Sequence, residues 1–340
     1  MTKIGIIGCG LLGIHHARIL QQFEGVQIAA LHNRSREKAD RLAAEVGGTV
    51  YESYEELLQQ DLDAVYVATP DHLHVDISKA VLDAGKHLFL EKTIATSVAD
   101  GAEIVAAGDK HPELVAMVGY PMRFRPQHVK MKQILSSEAA GSAVQCWSMR
   151  THFLHPDQVN YDKSRNEFYK MPDWYHKGEQ AVGPIYSHGS HDYHLLQWFF
   201  GEVESVFVYG GTYLYPSTSS IADAFTVSLR FKNGAIGQVS TPWATRVAYN
   251  YIGAATENVT VVNNNGDLLV KDDHGPEQKI TFQESGTPTF WLDMHKQFLD
   301  CVRNKRQAPV TLRDGLKAIA VSEAAVRSLK ERREVFVEQV

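Results

Sequence analysis

In the first third of the chain, apolar residues come as short unbroken runs separated by stretches in which apolar and polar positions recur at helical spacing. Short continuous runs suit strands buried on both faces, and amphipathic stretches suit the helices that cover them. The runs at 4–7, 26–32, 63–69, 87–90 and 115–118 are predicted strands, and 11–22, 36–46, 54–60, 75–84 and 97–108 predicted helices. Gly47-Gly48 and Gly85 stand where two of these helices stop. Such alternation predicts a doubly wound parallel sheet. The rhythm changes near residue 122. A helix over 126–136 precedes alternating or aromatic-rich runs at 144–151, 203–213, 222–231, 235–241, 249–253, 259–263 and 267–271. Asn233-Gly234 and Asn265-Gly266 are hairpin dipeptides between such runs. This half reads as an α+β domain on a large, mainly antiparallel sheet. The expected division is 1–122 and 123–340, with the helical segment 291–330 a candidate to pack back on the first domain. Residues 152–177 lack periodicity and are rich in Tyr, His, Asp and Trp, a composition that suits a binding loop.

The sharpest local signal is Gly8-Cys-Gly10-Leu-Leu-Gly13, set between the first strand and the first helix. In that context the G-x-G-x-x-G spacing is a dinucleotide fingerprint. Gly8 allows the tight turn, Gly10 lets backbone approach a pyrophosphate, and Gly13 lets helix and strand pack, with the phosphates at the helix N-terminus. Leu11 and Leu12, which open the helix within this fingerprint, are expected to join the cofactor-binding residues. Asn33-Arg34-Ser35 closes the second strand, where an NAD-binding unit carries an Asp or Glu for the ribose hydroxyls. No acid stands there. Arg34 is placed to meet a 2′-phosphate, with Asn33 and Ser35 as donors, which favours NADP(H) and leaves NAD(H) possible. Thr69, Pro70 and His72 follow the third long strand, and Glu91 and Lys92 the fourth, so these too are expected to line the cofactor cleft.

Composition narrows the class. The chain has 340 residues, enough for two domains, and a net charge of −6 without a long basic run, which argues against nucleic acid or an anionic membrane as partner. Cys9, Cys146 and Cys301 are widely spaced and form no C-x-x-C pair, a pattern of reducing compartments. With the first strand starting at once and no apolar run of spanning length, a cytoplasmic protein is expected.

Several stretches together resemble the glucose–fructose oxidoreductase/inositol dehydrogenase (Gfo/Idh/MocA) family: GIIGCGLLG, DAVYVATPDHLH at 63–74, AGKHLFLEKT at 84–93, Gly189-Ser-His191, and Asp300…Pro309-Val310…Asp314-Gly315…Glu323. The resemblance implies an N-terminal Rossmann domain, a C-terminal open-faced sheet domain, and oxidoreductase chemistry on sugars, cyclitols or related polyols. It also implies a homodimer or homotetramer joined through the C-terminal sheet. Lys92 matches the lysine of the family's Glu-Lys-Pro motif, with Thr93 in place of proline. An ammonium there would stabilise an alkoxide as it develops. His191 matches the histidine of the family's D-x-G-x-H pattern, and an imidazole suits removal of a hydroxyl proton. Ser187 stands at the aspartate position. On one continuous helix Ser187 and His191 would share a face, and Asp192 or His188 could make up the missing charge. Arg123 matches an arginine frequent in the family and could bind substrate hydroxyls or pair with a carboxylate.

His188 with Ser187, and the aromatic residues Tyr161, Trp174 and Tyr175, are candidates for the sugar-binding surface, joined by His176. A metal reading of His188, His191, Asp192 and His194 is set aside, because on one helix these side chains fan over more than one face. His15 and His16 carry no functional expectation. Two other functions fit the same residues: a retained cofactor driving a redox-neutral elimination or glycoside cleavage, and an NADP-binding sensor without chemistry. Retention of both Lys92 and His191 argues for the enzyme.

Overall fold

The computed structural model describes residues 1–153, 159–162, 167–170, 183–214, 222–282 and 288–340. By contact density the chain divides into two units: residues 1–121 with 289–316, and residues 122–288 with 317–340. Trp174, Tyr175 and His176 lie outside the described residues. Tyr161 is described only as part of a strand backbone.

The first unit opens with β1 (Thr2–Ile7), α1 (Leu11–Leu20), β2 (Val26–His32), α2 (Arg36–Val46), β3 (Thr49–Val50) and α3 (Tyr54–Leu58). It continues with β4 (Ala64–Val67), α4 (His74–Asp83), β5 (His87–Glu91), α5 (Val98–Lys110) and β6 (Ala116–Gly119). The strands form one six-stranded sheet in the order β3-β2-β1-β4-β5-β6, with every neighbouring pair parallel. This is the doubly wound dinucleotide-binding order, whose topology reverses beside β1 and puts ligands at the C-terminal strand ends. Ile4, Ile6, Ala64, Val65, Tyr66, Val67, Leu88, Phe89 and Leu90 are fully buried, as strands covered on both faces should be.

The second unit begins with α6 (Pro126–Leu135) and β7 (Ala143–Phe153), then β8 (Val159–Asp162), β9 (Glu167–Lys170), α7 (Gly183–Ser187) and α8 (Gly189–Phe200). Strands β10 (Val203–Gly211), β11 (Ala224–Phe231), β12 (Ile236–Ser240), β13 (Ala244–Thr256), β14 (Val259–Asn264), β15 (Asp267–Asp272) and β16 (Gln278–Ile280) follow. Helix α9 (Thr289–Asn304) belongs to the first unit, α10 (Leu312–Glu331) carries the division, and β17 (Val335–Phe336) ends the second unit. The second sheet runs β16-β15-β14-β13-β7-β12-β11-β10-β17. Its described pairings are antiparallel except for β12 beside β7. Asn265 and Gly266 both take positive φ, 49° and 106°, which the two-residue turn between β14 and β15 requires.

Candidate functional site

The glycine loop is built as its spacing requires. Gly8 sits at φ 101°, and a Cβ there would lie 2.5 Å from the Ala68 carbonyl oxygen. A Cβ on Gly13 would lie 1.8 Å from the Gly8 carbonyl oxygen, so only glycine lets α1 lie this close to the β1 turn. Gly10 differs: a Cβ there would meet nothing within 4 Å. Its bareness is therefore not demanded by packing of the chain, and leaves room for a group outside it. Gly10 is also the N-cap of α1, whose first turn carries no acidic side chain, so unspent N–H groups and the positive end of the helix dipole face that room. A pyrophosphate fits this donor set.

At the end of β2, the Asn33 side chain is already engaged. Its Oδ1 accepts from the Cys9 N–H at 3.0 Å and its Nδ2 donates to the Ser35 carbonyl at 3.0 Å, tying the β1 and β2 turns together. Asn33 thus shapes the loop. Arg34 is exposed and, among the described residues, enters no ion pair.

Lys92 follows β5 directly, with a cis peptide bond to Thr93. Each side of this strand end is fastened. Thr93 is fully buried; its Oγ1 donates to Asp71 Oδ2 at 3.1 Å, and its carbonyl oxygen lies 2.8 Å from His74 Nδ1. The other ring nitrogen of His74 lies 3.1 Å from the Thr69 carbonyl oxygen, so one buried imidazole spans the turns after β4 and β5. On the strand side, Glu91 Oε2 accepts the Lys92 N–H at 3.1 Å while Oε1 meets His16 Nε2 at 2.7 Å. Burial alone would raise the Glu91 carboxyl; the hydrogen bond and charge of His16, together with the charge and N–H of Lys92, take it below its ordinary range. Burial raises Asp71, against the charges of His74 and Lys92. His72 is exposed, while Thr69 and Pro70 are half-buried at the β4 end.

In the second unit the helical run over 183–200 divides at His188. The His191 N–H bonds back to the His188 carbonyl at 3.2 Å, a three-residue step, so Ser187 ends α7 and His191 lies in the first turn of α8. The single continuous helix expected from sequence is corrected here: Gly183, at φ 72°, opens α7, and the dipeptide His188-Gly189 begins a new helix. Asp192 is fully buried and fully occupied. Arg150 grips it with two bonds, Nε to Oδ1 at 2.6 Å and Nη2 to Oδ2 at 2.8 Å, and Ser148 and Thr241 donate to it at 2.6 and 2.8 Å. That carboxylate is spent on anchoring α8 to the sheet, and the idea that it makes up charge missing at Ser187 gives way to this role. Among the described residues, no three His, Cys, Asp or Glu side chains converge as a metal site.

His188 is fixed in tautomer. The indole N–H of Trp243 donates to its Nδ1 at 2.8 Å, and an indole can only donate, so the ring proton of neutral His188 stands on Nε2. Arg150 Nη2 holds the His188 carbonyl at 3.1 Å. Arg123 stacks its guanidinium 4.7 Å from the ring centre of Trp198, seven residues beyond His191 and so on the same side of α8. Arg150, Trp243 and His16 escape sequence reading: an arginine on a strand, a lone tryptophan and a histidine in a helix are ordinary residues until long-range contacts give them partners.

Two family models match the chain: one described as oxidoreductase family, NAD-binding Rossmann fold, over residues 2–120, the other as oxidoreductase family, C-terminal alpha/beta domain, over residues 155–337. The chain is 26% identical over 353 residues to an uncharacterized oxidoreductase, YrbE, of Bacillus subtilis strain 168, covering 97% of this chain and 95% of that protein. It is 24% identical over 359 residues to a myo-inositol 2-dehydrogenase of Thermotoga maritima, covering 99% of each. Among solved structures, a levoglucosan dehydrogenase in complex with NADH aligns over 100% of both chains with a TM-score of 0.88 at 18% identity, a likeness of fold. No helix among the described residues is long and apolar enough to cross a membrane. With both halves of the chain matched, the protein belongs to the Gfo/Idh/MocA family of NAD-binding oxidoreductases.

Proposed function

We propose that this protein is an NAD(P)-dependent dehydrogenase that interconverts a secondary alcohol of a sugar or cyclitol and its ketone. The observation that carries this reading is the pairing of an open Gly10 at the α1 N-terminus with Lys92 at the end of β5, both at the strand ends where doubly wound sheets bind ligands. The names of relatives that act on inositol support a polyol as substrate. Gly8, Gly10, Leu11, Leu12 and Gly13 hold the pyrophosphate, and Thr69, Pro70, His72 and Glu91 line the same strand ends. When bound, the nicotinamide accepts or supplies the hydride. Lys92 stabilises negative charge on the reacting oxygen, and His191 takes the hydroxyl proton in the oxidative direction and returns it in the reductive one. Ser187 and His188 hydrogen-bond substrate hydroxyls, His188 through the Nε2–H that Trp243 selects. Arg123, stacked on Trp198, contributes its guanidinium to substrate hydroxyls.

Arg34, exposed at the end of a strand that lacks the ribose-binding acid, supports preference for NADP(H). The second sheet exposes Tyr209 at 74%, Phe336 at 67% and Ile236 at 50%, which supports association of copies through that sheet. The test is a panel of myo-inositol, its stereoisomers, levoglucosan and the corresponding ketoses, each with both nucleotides. Turnover of one polyol or ketose by the wild type, lost in Lys92→Met, is the expected result. Turnover of none by a protein that binds nucleotide would contradict it.

A further inference from the structure

Next to Lys92 in sequence, Glu91 of β5 ends a buried, hydrogen-bonded line of three ionisable side chains, with His16 of α1 and His295 of α9. His295 Nδ1 lies 2.9 Å from the Trp291 carbonyl oxygen, His295 Nε2 lies 2.9 Å from His16 Nδ1, and His16 Nε2 lies 2.7 Å from Glu91 Oε1. The rings of Tyr66, Phe89 and Trp291 surround His16, with centres 5.6, 5.2 and 6.2 Å away. The ionisable groups facing this line are His15, Tyr66 and Lys92.

Counting protons fixes the state of the line. A carbonyl oxygen can only accept, so His295 Nδ1 carries a hydrogen. Burial, first of all, and the neighbouring histidines keep His295 neutral, so its Nε2 is a lone pair and the proton between the rings belongs to His16 Nδ1. Glu91 Oε2 receives the Lys92 N–H and feels the Lys92 charge, which favours the carboxylate. His16 Nε2 must then also carry a hydrogen. On this count His16 is an imidazolium, with both N–H groups spent inside an aromatic cage and Glu91 as its carboxylate partner.

We propose that the His295–His16–Glu91 line is a positioning device for Lys92. The imidazolium holds the Glu91 carboxylate in one orientation, and that carboxylate fixes the Lys92 backbone from which the ammonium is aimed at the reacting oxygen. The role rests on the reading of Lys92 given above. His16 and Glu91 are positioning residues here, and His295 sets the charge by offering an acceptor where a donor would leave His16 neutral.

Nitrogen NMR of histidine-labelled protein, with His16 assigned by its disappearance in His16→Asn, reads the first half directly. Both ring nitrogens of His16 are expected to report as protonated in the native protein at neutral pH; a pyridine-type nitrogen there overturns the assignment. The second half is read by kinetics with the best polyol of the panel. Glu91→Gln is expected to lower kcat about 100-fold, the scale of a misplaced reacting group, with KM for the polyol little changed. An unaltered kcat in Glu91→Gln overturns the positioning role. His295→Gln, which keeps an acceptor for His16, is expected to recover most of the kcat that His295→Leu loses, with both variants checked by thermal melting. Equal losses in the two would overturn the role given to His295. Should Lys92→Met keep wild-type turnover, the reading of Lys92 fails, while the nitrogen spectrum still judges the buried imidazolium by itself.

Discussion

Single atoms decide what the glycine loop tolerates. The 1.8 Å approach of a would-be Gly13 Cβ to the Gly8 carbonyl oxygen cannot be relieved by a side-chain rotation, because the obstructing atom is backbone. Gly13→Ala is therefore expected to lower the melting temperature and weaken nucleotide binding together, whereas Gly10→Ala, which meets no protein atom, is expected to weaken binding while leaving the melt unchanged. Calorimetry and nucleotide titration on the two variants check this; equal melts for both would contradict the assigned roles. On the proposed role of Lys92, Lys92→Met removes a charge that stabilises the transition state, so kcat is expected to fall by about 10²–10³-fold with nucleotide affinity retained, as for loss of one oxyanion donor. The glycine loop and the place of Lys92 at a strand end are legible in the sequence because both depend on neighbours a few positions away. The partner of His16 is not. His295 is 279 residues further on, and nothing local distinguishes a histidine that will meet another from one that will face solvent.

Elements tell the same story through their edges. Strand β2 and helix α2 stand over 26–32 and 36–46 as their patterns predict, since a buried run and an amphipathic face each declare themselves. Strand β13 is longer than its predicted 249–253, running Ala244–Thr256, because Arg246, Val247 and Ala248 are exposed and carry no alternation. Two-residue strands such as β3 and β17 have no period to read. Helix α8 shows what a hidden anchor does. Its Asp192 binds Arg150, Ser148 and Thr241 in the buried interior, and removing one partner of a buried ion pair strands the other. Asp192→Ala is expected to cost about 3–5 kcal/mol of stability in denaturant unfolding. A loss under about 1 kcal/mol, typical of an exposed pair, would contradict the anchoring role.

For the whole molecule, buried neutral histidines make stability depend on pH. His128 donates from Nδ1 to the Met122 carbonyl at 2.7 Å and accepts at Nε2 from the Asn263 amide at 3.1 Å. Burial, with Arg125 nearby, lowers it from 6.5 to about 3. The unfolded chain binds this proton below pH 6.5 while the folded one does not, so the contribution is complete above 6.5 and is lost as pH falls toward 3. Each pH unit in that window removes up to about 1.4 kcal/mol. Unfolding free energies at pH 7.5 and 5.0 are expected to differ less in His128→Gln than in the wild type; the same difference in both would contradict this origin.

On the proposed reading, the first unit binds a nicotinamide dinucleotide at its glycine loop and Arg34 selects the phosphorylated form. Titration of nucleotide-stripped protein with NADPH and with NADH, followed by nicotinamide fluorescence, tests it most directly. Saturable binding of both, with NADPH the tighter by at least about tenfold, the scale of one charge-assisted phosphate contact, is the predicted result. No saturable signal with either nucleotide would contradict the claim at its root.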